Sequence, residues 1–115
     1  MTDITTTLER VSAIRGVRGA MLVSTSDGLV VADSLMDGVD GRAVAALAAS
    51  LVGRIFRTTR AAGMPAPEIV HLRAEHGSVL AVPAGDDVLV VAVTAADANL
   101  GLARLEMLEA ARALA

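Results

Sequence analysis

The apolar run Val88-Leu89-Val90-Val91-Ala92-Val93 restricts what this chain can fold into more than any other stretch. It is far too short to span a bilayer and reads as a strand. A strand with one wet face alternates apolar and polar residues. This one has no polar face, so it belongs in the middle of a sheet that is covered on both sides. The chain must therefore supply helices for both faces.

The segment from Arg42 to Ala62 is the first source of that cover. Val44, Leu47, Ala48, Leu51 and Ile55 make one apolar face at helical spacing, and Ala45, Ala49, Val52 and Phe56 make a second beside it. Polar residues are confined to the strip Ser50, Arg54 and Arg57, with Arg42 and Arg60 near the ends. A helix so apolar around its circumference is covered on more than one side, and Ala45 and Ala49 are small enough to let another backbone approach. Asp40 caps its start, and Gly63 ends it ahead of Pro65 and Pro67. A second helix is expected from Thr7 to Arg15, where Thr6 and Glu9 fit a capping box and Leu8, Val11 and Ile14 form a stripe. A third is expected from Ala98 to Leu114 behind Asp97, with Leu100, Ala103, Met107, Ala111 and Leu114 facing inward.

Further strands are expected at Val17 to Ser24, Leu29 to Ser34, Glu68 to Ala74 and Ser78 to Pro83, with Asp87 to Thr94 holding the opening run. Asp27-Gly28 supplies hairpin turn geometry, and the turns Glu75-His76-Gly77 and Ala84-Gly85-Asp86 are short enough for antiparallel pairing. The order helix, strand, strand, helix, three strands, helix predicts an α/β chain of the α+β kind. Its five-stranded antiparallel sheet carries helices on both faces, in a single domain over residues 1–115.

With 54% hydrophobic and 20% charged residues, the composition is that of a globular protein. A net charge of −3 offers no electrostatic case for nucleic acid or an acidic membrane. Absence of cysteine excludes disulfides and thiolate chemistry. All ten basic residues are arginine, a bias that resembles the codon usage of a GC-rich bacterial genome. Met1-Thr2-Asp3 has no basic and apolar leader, and the alanine-rich helix is interrupted by arginines, so a cytoplasmic protein without membrane insertion is expected.

Four segments in this order resemble the roadblock family, named for a dynein light chain. They are Ile14-Arg15-Gly16-Val17-Arg18-Gly19-Ala20, Ser26-Asp27-Gly28-Leu29-Val30-Val31-Ala32, the alanine-rich central helix, and Ala98-Asn99-Leu100-Gly101-Leu102-Ala103-Arg104-Leu105. The resemblance covers nearly the whole chain and implies a profilin-like three-layer sandwich that works as a homodimer. In such dimers the third strand pairs with its symmetry mate and the central helices pack side by side. Carried onto this sequence, that assigns Ala45, Ala49, Val52, Phe56, Ile69, His71 and Arg73 to a dimer interface. The resemblance also implies a non-catalytic regulator or adaptor that binds a Ras-like small GTPase and modulates its hydrolysis or localisation. Bacterial relatives stimulate hydrolysis by reorganising the GTPase's own catalytic groups. Some use an extra C-terminal helix, a mode not expected of a chain that stops at Ala115.

No catalytic apparatus is legible. A phosphate-binding loop needs a lysine, which the chain lacks, and no nucleophile elbow or dinucleotide fingerprint occurs. Asp37 and Asp40 lack the alternating ligands and terminal glutamate of a calcium loop and read as turn and cap. His71 and His76 offer too few ligands for a metal, so no cofactor or metal is expected. The strip Ser50, Arg54, Arg57 and Arg60 is the candidate partner-binding site, because arginine suits bidentate contacts with carboxylates, although an ordinary solvated stripe would look the same. A scaffold without effect on nucleotide turnover and a small-molecule sensory domain are the alternatives.

Overall fold

The computed structural model describes residues 3–114. In chain order it contains α1 (Ile4–Ser12), β1 (Val17–Ser24), β2 (Val30–Leu35), α2 (Gly41–Ala61), β3 (Val70–Ala74), β4 (Gly77–Ala84), β5 (Val88–Ala95) and α3 (Leu100–Leu114). The strands form one antiparallel sheet in the order β2-β1-β5-β4-β3. The wholly apolar strand is its middle member, as its lack of a polar face requires.

Alternation along the strands divides the core in two. On one side Ala20, Leu22, Leu80, Val82, Val90 and Ala92 meet Leu8 and Val11 of α1 and Ala103 and Met107 of α3. On the other side Met21, Val23, Ala81, Leu89 and Val91 meet Ala45, Ala48, Ala49 and Val52 of α2. The three-layer sandwich with helices on both faces is thus observed.

The helix ends differ from expectation in α1 and α3, and α1 also stops at Ser12, three residues before the expected Arg15. α1 starts three residues earlier than its capping box suggests, because Asp3 is the cap. Its Oδ1 accepts the Thr5 N–H at 3.0 Å and its Oδ2 accepts the Thr6 hydroxyl at 3.1 Å. In α3 the cap is Asn99, whose Oδ1 accepts the Leu102 N–H at 3.2 Å, in place of Asp97. Asp40 caps α2 as expected, accepting the Ala43 N–H at 3.1 Å. Asp40→Ala should cost about 1 kcal/mol, read as a lower urea midpoint with an unchanged slope.

Candidate functional site

Helix α2 lies across β1, β2, β4 and β5 and leaves its side of β3 largely bare. Its alanines determine how it sits. Ala45, Ala48 and Ala49, with Val52, are all buried against the sheet, and such short side chains bring the helix close to the strands. Phe56 packs half-buried at the border of the same cluster. This corrects the assignment of Ala45, Ala49 and Val52 to a dimer interface. They face the protomer's own sheet, Ala45 and Val52 fully buried and Ala49 nearly so. Ile69, also placed at that interface, packs half-buried against the opposite cluster, on the α1 and α3 side.

The sector of α2 that stays bare belongs to the other apolar face. Leu47 is 45% exposed and Leu72 of β3 is 41% exposed. Together with Val79 and Val93 they line an apolar groove bordered by Arg18, Glu75 and His76. The groove runs out to β3, an edge strand whose residues His71 to Ala74 are all exposed. β3 has no proline and no bulge, and it pairs with β4 in unbroken register from Val70↔Ala81 to Ala74↔Gly77. Such an edge is open to a further strand. His71 points to the α1 and α3 side, where its Nε2 lies 2.8 Å from the hydroxyl of buried Ser78. Arg73 sits opposite Ser78 in the ladder.

Ser50, Arg54, Arg57 and Arg60 are all exposed. The helical period gathers the first three on one side. Arg60 lies about 60° around the axis from Arg57 and about 120° from Arg54, at the border of the strip. Ser50 and Arg57 border a shallow groove against the Thr25-Ser26-Asp27-Gly28 turn, lined by Ala46, Ala49 and Gly53. Among the described residues the one contact within salt-bridge distance is His76 Nε2 to Glu75 Oε1 at 3.9 Å, so the strip's arginines have no carboxylate partner there. No acidic residue occurs from Gly41 to Ala61. The surface that results is basic along the outer face of α2 and apolar beside it, over an open sheet edge.

The two histidines stand apart, one on β3 and one in the turn after it, and no metal-holding cluster occurs among the described residues. No helix of the described residues is long and apolar enough to cross a membrane.

This geometry has close counterparts. The family model for the Roadblock/LC7 domain matches residues 3–94. Uncharacterized proteins of Methanocaldococcus jannaschii are 43% identical over 96 residues, covering 84% of this chain and 82% of the relative. Among solved structures, MglB with a tetrameric arrangement superposes with a TM-score of 0.85 at 24% identity, over 96% of this chain and 83% of that one. A Roadblock/LC7 domain from Streptomyces avermitilis superposes with a TM-score of 0.84 at 18% identity, over 97% and 94% of the two chains. The family match spans both early motifs, α2 and most of the sheet, and by it this chain belongs to the Roadblock/LC7 domain family.

Proposed function

We propose that the protein is a homodimeric, non-catalytic adaptor whose paired α2 helices form a basic docking platform for a Ras-like small GTPase. The observation that carries this reading is the uncovered flank formed by Leu47, Leu72, Val79 and Val93, continuous with the unpaired edge of β3. A second copy related by a twofold axis would pair β3 with β3 and lay its α2 over that flank, satisfying edge and apolar surface in one contact. The solved MglB with a tetrameric arrangement gives precedent for self-association on this fold. Dimerisation would bring two Ser50, Arg54, Arg57 strips onto one face. That much unpaired positive charge favours an acidic partner surface.

The chain would act on the GTPase by holding its switch segments in place, since positioning and electrostatics dominate phosphoryl transfer. The test is binding and turnover with Ras-like GTPases from the same genome. Arg54→Glu with Arg57→Glu should abolish binding while the dimer persists, because neither arginine has a carboxylate partner to lose among the described residues. Undiminished binding by the double variant would refute the platform. Binding with unchanged GTP turnover would make the protein a scaffold.

A further inference from the structure

The sheet's other edge carries a second surface of different chemistry. β2 has no strand on its outer side, and around it stand Leu29, Val31 and Met36, which are 64%, 56% and 59% exposed. Val31 is turned out of the ladder by a bulge: Val23 pairs with Val30 and Leu22 with Ala32, which leaves Val31 unpaired. From Ala32 to Leu35 the register with β1 is unbroken. Asp27, Asp33, Asp37 and Asp40 border this edge, all exposed and, among the described residues, without an ion pair. Asp27 and Asp40 spend one oxygen each on the backbone N–H groups of Leu29 and Ala43. Between Gly19 and Gly41 the chain has no basic residue, and the border is reached by two cations of α2, Arg42 beside Asp40 and Arg57 beside the Asp27 turn.

We infer that the β2 edge is a docking surface for an extended segment of a partner protein rich in lysine or arginine, added to the sheet as a further strand. The free backbone groups of an edge strand supply main-chain pairing, and the exposed apolar side chains receive every second residue of the incoming segment. The carboxylates select its charge. They also argue against self-pairing, since two antiparallel β2 edges paired about Asp33 would set the Asp33 carboxylates of both copies against each other. The arginines of α2 in another copy are no substitute, because a helix cannot satisfy the backbone of a strand edge. Pairing through β3 would leave this edge free, so the inference stands apart from the GTPase reading.

The experiment is a titration of isotope-labelled protein, followed by backbone NMR, with a capped octapeptide alternating lysine and valine. The same peptide with glutamate for lysine is the control. Shifts concentrated from Leu29 to Met36, with the cationic peptide only, are expected. Asp33→Lys with Asp37→Lys should weaken that binding about tenfold. Both side chains are exposed and hydrogen-bonded to nothing among the described residues; if the double variant still loses its fold, Val31→Lys reads the same loss. Shifts confined to β3 or α2, equal response to the anionic peptide, or full affinity in the charge-reversed variant would overturn the inference. The same shifts appearing on concentration without peptide would name a second copy as the occupant and overturn it too.

Discussion

Leu47→Asp combined with Leu72→Asp is expected to yield a folded monomer, whereas Val52→Asp is expected to yield no folded protein. Five positions separate Leu47 and Val52 on one helix, yet their surroundings are opposite. Leu47 and Leu72 are each more than two-fifths exposed, so a carboxylate at either keeps its hydration in the isolated protomer. Substitutions of this kind move stability by about 0.5 kcal/mol or less. In the proposed dimer the same carboxylates would be buried against the partner, and the pairing would fail. Val52 is fully buried among Met21, Leu89 and Val91. An ionised group there costs several kcal/mol, comparable to the roughly 5–15 kcal/mol that holds a domain together. Sedimentation velocity with far-UV circular dichroism separates the three results. A double variant that remains dimeric would place the seam elsewhere.

Gly16→Ala is expected to destabilise the fold by roughly 2–4 kcal/mol, since it adds a steric clash to backbone strain. Gly16 has φ +87°, and a Cβ there would run into the Cα and Cβ of Ala98. Ala98 cannot retreat easily. The loop that carries it is tied to Gly16 by the Ala95 N–H, which donates to the Gly16 carbonyl at 2.7 Å, and to Arg15 by the Asn99 N–H at 3.2 Å. Gly38 is the control, with φ +89° and nothing within 4 Å of its would-be Cβ. Gly38→Ala should therefore carry the strain alone, about 1 kcal/mol. Chemical denaturation of the two variants distinguishes the effects, and equal losses would show that the Ala98 contact does not matter. Gly16 sits in the first motif of the family resemblance, and the contact gives that motif a physical reason: the turn from α1 into β1 passes directly against the start of α3.

Much of this protein was legible in its residues. The unbroken apolar run Val88 to Val93 called for a central strand with cover on both faces, and β5 is that strand. Asp40 and Asp27-Gly28 marked a helix start and a turn, because their side-chain and backbone chemistry acts over a few residues and needs nothing distant. Local chemistry failed where two local candidates competed. Asp3 and Asn99 cap the helices whose expected caps were Thr6 and Asp97, and the choice depends on where each helix meets the sheet.

The orientation of α2 was beyond local reasoning. Apolar residues occupy so much of its circumference that periodicity shows two candidate faces and cannot rank them. Small residues suggested close approach by a backbone without saying whose. The tertiary structure decided that the backbone is the protomer's own sheet, because Ala45, Ala48 and Ala49 let α2 lie close over Met21, Leu89 and Val91. Leu47 was left on the open flank by the same rotation. Composition and periodicity determined the elements, their order and the need for cover on both faces. Only packing could decide which side of the helix is inside, since burial is a property of what the chain brings together and not of any one segment.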